Sequence, residues 1–287
     1  MSLPSKWVKN HNVRKGDELN IVEEDAALRI FSGEERLFTK KTKIDFSNKD
    51  WGVMHSILAV LHKSGYDEIE ITFDNPKTAD VIQERINNML MGYEIIDQKK
   101  NVCVVKSVSG DHLSELDALI RRIFLVTLSL AQSSLEGAKT GDKARLREVL
   151  VLEQTINKLT NYSQRLLNKK PYKDEQTIYT YLIVWVLESI CDDYRDMVNA
   201  ILEKPIKISQ SLIEAHEQVN ALVNDYYHFF YNYSNEELGG MREQVKTLKK
   251  RLIEVKCNSR EEILRVLLFS ITSRILDCFG STTGMHH

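Results

Sequence analysis

Paired cysteines are what this sequence most plainly lacks. Its four thiols, Cys103, Cys191, Cys257 and Cys278, lie far apart, so neither a zinc site nor a disulfide frame can be drawn from their spacing. They read as buried thiols of a reducing cytoplasm. Long apolar runs are also missing. None reaches the roughly 18 residues that span a bilayer, and the N-terminus has neither the charged nor the apolar region of a signal peptide. A cytoplasmic chain without membrane insertion is expected. Nor is one sign of charge in excess: 39 Lys and Arg against 41 Asp and Glu leave a net charge of −2, which argues against wholesale nucleic-acid binding but not against a local basic patch. No triad, glycine-rich phosphate loop, zinc motif or pair of acids in a plainly apolar pocket is present, so an enzyme is not expected. The 287 residues, 43% of them hydrophobic and 28% charged, suffice for more than one domain with sizeable cores.

What is present is a run of apolar residues from Ile178 to Leu187, followed by Glu188, Asp192 and Asp196 at steps of four. On a helix of about 3.6 residues per turn this spacing stacks the three carboxylates on one face. Stacked acids repel one another unless something compensates them. From Asp174 to Tyr194 there are five acids and no Lys or Arg, and the first base on the helix is Arg195. The expectation is that a cation from outside the chain neutralises this ridge. Glu153, Asn157, Asn161, Gln164 and Asn168 form a second polar ridge, which an antiparallel neighbour could turn towards the first. Two readings stand: a shared patch of oxygen donors for a cation, or two solvated faces of amphipathic helices.

Elsewhere the pattern is simpler. Residues 1 to about 36 read as a helical turn after Pro4, a Gly16-Asp17 turn, and strands carrying Leu19 and Ile21, then Leu28 and Ile30. Lys6, Lys9, Arg14 and Lys15 place four positive charges in the first sixteen residues with no acid, compatible with phosphate contacts or with a solvated hairpin edge. Residues 40–108 switch between periods: TKIDF and DEIEITF as strands, DWGVMHSILAVLHKSG and KTADVIQERINNMLMG as helices stopped by Gly65 and Gly92, then YEIIDQ and VCVVKSV as a hairpin. His55 and His62 read as ordinary helix residues. From Asp111 onward six helices are expected (111–138, 142–169, 175–203, 206–233, 235–256 and 260–279), with turns at Gly141, Pro171, Pro205 and Asn258. Capping boxes are expected at Ser234 with Glu237 and at Ser259 with Glu262. His216, Asn220, Asn224 and His228 read as the polar side of the fourth of these helices. The closing GSTTGMHH reads as a frayed tail, its last two histidines as tag remnants.

Two resemblances follow. LPSKWVKNHNVRKGDELNIVE resembles the AbrB/MazE swapped-hairpin family through Leu3, Pro4, Trp7, Gly16 and Asp17. The family's first strand would precede Ser2 and is missing here, so a truncated chain or an incomplete barrel is expected. The stretches GYEIIDQKKNVCVVKSV, DALIRRIFLVTLSLAQ, LEQTINKLTNYSQRLLNKK and LESICDDYRDMVNAILE are similar to archaeal PhoU-like phosphate uptake regulators. Glu188 and Asp192 match that family's Glu/Asp-x-x-x-Asp metal signature. Glu153 keeps its place while Asn157 stands for an acid, and Ser273 and Asp277 occupy the second-bundle positions.

These resemblances imply an α+β N-terminal region, made of partial swapped-hairpin strands (1–37) and a small α/β module (38–108). An all-α region of two tandem PhoU-like three-helix bundles follows, at 109–204 and 205–280. They imply a phosphate-uptake regulator acting as a homodimer, holding a divalent or trivalent metal ion (Mg, Mn, Fe or Zn) on Glu188, Asp192, Asp196, Glu153, Asn157 and Asp277. Lys6, Lys9, Arg14 and Lys15 would contact DNA. The alternative is an interaction module that binds no DNA and docks on a phosphate transporter ATPase or a signalling protein.

Overall fold

The structure, a computed structural model, describes residues 2–10, 12–24, 27–32, 39–169, 172–173, 175–204 and 207–287. Pro171, Asp174 and Pro205 fall outside them. The chain forms two compact units, Met1–Lys41 and Thr42–His287.

The first unit holds a short helix α1 (Ser5–Asn10) and an antiparallel hairpin of β1 (Leu19–Glu24) and β2 (Ala27–Ser32), with Ile21 opposite Ile30. Gly16, at φ +101°, makes the turn that leads into β1. Ile21 and Leu28 remain exposed.

From the boundary onward come β3 (Lys41–Asp45), α2 (Trp51–Lys63), β4 (Glu68–Thr72), α3 (Lys77–Met89), β5 (Tyr93–Lys99) and β6 (Val102–Ser107). The strands form one sheet in the order β3-β4-β6-β5, in which β6 runs antiparallel to both neighbours. In β4 and β6 buried and half-buried residues alternate, so one face carries Ile69, Ile71, Cys103 and Val105 into a small core with Leu58, Ile82 and Phe46. Asp50 caps α2 by accepting from the amide of Val53. At the other end of α2, Gly65 has φ +77°, and a Cβ there would lie 2.6 Å from Cγ of Lys169. Only glycine serves both the reversal and the close approach.

Six helices follow: α4 (Leu116–Thr140), α5 (Lys143–Lys169), α6 (Gln176–Glu203), α7 (Gln210–Tyr231), α8 (Asn235–Glu254) and α9 (Glu262–Gly284). Helices α4, α5 and α6 pack on one another, as do α7, α8 and α9, and α6 with α9 and α4 with α7 join the two triads. One continuous apolar core runs through all six. Gly137 lets α4 approach α5 closely, since a Cβ there would meet Cδ2 of Leu146 at 2.6 Å. Among the described residues Leu113–Thr140 is the one helix long and apolar enough, by length and composition, to cross a membrane; charged residues interrupt it and more than half of its most apolar part is buried within the protein.

Three expectations are corrected. Helix α9 does not fray but continues to Gly284, because Ser281 and Thr282 are buried, the Tyr226 hydroxyl meets that of Thr282 at 2.9 Å, and the Met285 carbonyl accepts from Gln176 at 2.8 Å. Its cap lies one residue before the expected Ser259 and Glu262. The Asn258 side chain accepts from the amides of Arg260 and Glu261, and the Glu261 carboxylate accepts from the Asn258 amide. The His216 column is half internal: His216 is buried, and Asn220 accepts from the Tyr194 hydroxyl and donates to the Ala131 carbonyl.

Candidate functional site

Antiparallel packing of α5 on α6 sets Glu153 beside the C-terminal half of α6. There Arg195 lies three residues after Asp192 and one before Asp196, close enough to serve both. Its guanidinium donates to Glu153 at 2.8 Å, to Asp196 at 3.0 Å and to Asp192. Asn157, one turn along α5, donates to the same Glu153 oxygen at 2.7 Å. Glu188, one turn before Asp192, approaches Lys63 of α2 at 3.6 Å. Its Oε2 is buried and accepts no hydrogen bond. Five of the six expected metal residues therefore lie along one seam, Glu153, Asn157, Glu188, Asp192 and Asp196. Asp277 does not join them: it is exposed on α9, and no hydrogen bond or ion pair links it to the seam among the described residues.

The expectation that this ridge lacks a counter-charge of its own is corrected. Arg195 and Lys63 both reach it. Three carboxylates accept from one guanidinium, and the half-buried Arg85 of α3 adds an electrostatic attraction to Glu153. Burial, with the nearby Glu153, Glu188 and Asp196, outweighs Arg195 and lifts the Asp192 carboxyl to about 6. Burial works against the charge of Arg195, but Asp192, Glu153 and Asp196 together hold its pKa above the usual value. Among the described residues no group of three or more His, Cys, Asp or Glu side chains has a ready-made metal-holding arrangement.

The second polar ridge divides its work. Only its first two residues face the acids. Further along α5 it serves the α/β layer: Asn161 donates to the carbonyl of Met89 at 3.3 Å, Asn168 to that of Lys63 at 2.7 Å, and Arg165 to those of Tyr66 and His62 at 2.5 and 3.4 Å. These are carbonyls at or just past the ends of α2 and α3, which have no partners within their own helices. Gln164, on the same ridge and fully buried, leaves both amide atoms unpartnered.

Sequence reasoning missed the strongest charge cluster of all. Arg165, fully buried, pairs with Asp67 at 2.6 Å and Asp111 at 3.0 Å, and Lys169 pairs with the same two at 2.5 and 2.6 Å. Two positive and two negative charges balance there. Burial alone would raise the Asp111 carboxyl, but Lys169 and Arg165 overcome it and hold it below the usual range. The one available signal was an Arg and a Lys four apart, at the end of a helix whose other residues are largely buried. His62, directly above the cluster, is buried as well. It donates from Nε2 to the Met91 carbonyl, and burial lowers its pKa to about 4. It is a structural histidine.

On the N-terminal unit Lys6, Lys9, Arg14 and Lys15 are all exposed. The backbone amide of Arg14 donates to Asp17 at 2.6 Å, which fixes the turn beneath the last two. In α9, Arg274 and Ser270 are committed to the buried Asp193 of α6, at 2.6 and 2.8 Å. In comparisons with known proteins, no family model, curated protein or solved structure matches the chain.

Proposed function

We propose that this chain is a cytoplasmic regulator of phosphate uptake, in which the acidic seam of α5 and α6 takes up a cation and the basic N-terminal segment contacts DNA as part of a homodimer. One observation carries the cation half. Glu153, Asp192 and Asp196 all accept from the one guanidinium of Arg195, and burial together with the neighbouring carboxylates lifts Asp192 to about 6. The donors present fit a hard divalent ion: they are carboxylate oxygens, with the buried Oε2 of Glu188, which accepts no hydrogen bond and has only the Lys63 ammonium at 3.6 Å, beside them. Such a set suits Mg²⁺ or Mn²⁺ before Fe or Zn²⁺. Glu153, Glu188, Asp192 and Asp196 would hold the ion, and Asn157 would keep Glu153 in place. Once bound, the ion supplies further positive charge. Arg195 competes with it for the same carboxylates.

The regulatory half draws on the PhoU-like stretches and on the exposed cations of the N-terminal unit. A two-stranded hairpin is marginally stable by itself, and the exposed Ile21 and Leu28 on β1 and β2 supply an apolar face for a second copy. A second reading, an interaction module that docks on a transporter ATPase or signalling protein without binding DNA, is favoured by another patch. Ile253 of α8 with Ile263 and Val266 of α9 are all exposed, close to where Arg265 reaches the Leu252 carbonyl.

Elemental analysis after equilibration with Mg²⁺ or Mn²⁺ tests the cation. The wild type should retain the ion, and Glu188→Ala/Asp192→Ala should lose it with the helical circular dichroism unchanged. Full metal content in that double variant would place the ion elsewhere. Binding of duplex DNA that weakens steeply as salt rises separates the two regulatory readings. Lys9→Ala/Lys15→Ala should reduce both the affinity and the salt slope, whereas no DNA binding by the wild type favours the docking module.

A further inference from the structure

Helix α6 turns outward one line of residues spaced alternately four and three apart: Ile178, Leu182, Trp185, Ser189, Asp192 and Asp196. Its first half is apolar and open to solvent, with Ile178 70%, Leu182 42% and Trp185 50% exposed. Isolated surface apolar residues need no explanation, but three large ones in a row over two turns do. The core takes the opposite side of the helix, through Ile183, Val184, Leu187 and Ile190. The four-three spacing is that of the seam between two paired helices.

We propose that this stripe is where two copies of the chain meet, α6 against α6, antiparallel about a two-fold axis at Leu182. Charge selects both partner and direction. In a parallel pair Asp192 and Asp196 would face their own counterparts, adding like charge to a seam already rich in carboxylates. In the antiparallel pair Leu182 meets its own copy, Ile178 lies opposite Trp185 of the second copy, and the two acidic halves point away from each other. The same register lays the segment just before α6 of one copy alongside Asp192 of the other. That segment carries Lys173, 54% exposed and 3.3 Å from Asp117 of its own chain. An isologous contact of this kind satisfies both copies with one surface. The contact depends on neither the cation nor the DNA reading.

A cysteine cross-link tests it on the full chain. The background is Cys257→Ser, because the other three native thiols are buried. Leu182→Cys, lying on the axis, should form a disulfide-linked dimer under mild oxidation, whereas Asp196→Cys should not. Linkage at both positions means a parallel pair and overturns the proposal, as does linkage at neither. Sedimentation equilibrium supplies a second measurement. Trp185→Glu, a change at an exposed residue that leaves the core intact, should weaken self-association by about tenfold or more, since it places a charge at the centre of an apolar contact. Lys173→Glu should weaken it by a smaller factor. A wild-type chain that stays monomeric, or a dimer indifferent to Trp185→Glu, assigns the stripe to something other than a second copy.

Discussion

Asp192 on α6 and His62 on α2 illustrate how burial pushes an acid and a base in opposite directions. Asp192 has a folded pKa of about 6, above its ordinary 3.8. The folded chain therefore binds this proton more tightly than the unfolded one, and this residue makes folding less favourable as pH rises from about 4 to 6. A bound cation reverses that preference, so uptake of Mg²⁺ should increase with pH through 6, and titration calorimetry at pH 5 and pH 7 reads the difference. His62 works the other way. Its folded pKa of about 4 lies below the ordinary 6.5, because charging it would place a cation in the core. The stability it contributes is complete above about pH 6.5 and is lost as pH falls towards 4, up to about 3 kcal/mol. His62→Gln, which retains a donor for the Met91 carbonyl, should flatten the pH dependence of the melting temperature over that window. An unchanged profile would mean that other groups set the acid limit.

At the level of single elements, most of what the chain does locally was legible in its residues. Alternation marked β3, β4, β5 and β6, and apolar periodicity with Gly65 and Gly141 located α2 and α4, because these signals act within a few residues of their cause. Ser234 caps α8 as its spacing with Glu237 implies. Where two caps compete, spacing does not choose. Ser259 with Glu262 and Asn258 with Glu261 both fit the pattern, and the second wins because Glu261 also accepts from the Ser209 amide at 2.5 Å. That long-range bond cannot be read from the local sequence. Asn258→Ala should lower stability by about 1 kcal/mol, whereas Ser259→Ala should leave it nearly unchanged. Chemical denaturation of the two variants distinguishes the caps. The acidic ridge was legible in the same partial way: the spacing gave its residues, but that Arg195 turns back onto them, and that Lys63 arrives from α2, depends on tertiary packing.

On the scale of the molecule, the link between the α/β layer and the helices of the second unit was invisible in the sequence. Its four charges come from Asp67, Asp111, Arg165 and Lys169, up to about a hundred residues apart, and none belongs to a recognisable motif. Removing one partner leaves an uncompensated charge in the interior, so Arg165→Met should cost about 3–5 kcal/mol. Arg165→Met together with Asp111→Asn should cost less than the sum of the two single changes, because the second change removes a charge that the first leaves stranded. Thermal unfolding of the three variants checks this. Additive losses would show that the residues act independently.

The same helix carries this cluster and the acidic seam. Arg165 and Glu153 are twelve residues apart on α5, about 18 Å along a rod that does not bend easily. Whatever tilts the sheet layer pulls on the far end of that rod through Arg165, Asn161 and Asn168. A tilt of α5 moves Glu153 relative to Arg195. The helix thus ties a charge-balanced anchor at one end to a carboxylate-rich seam at the other.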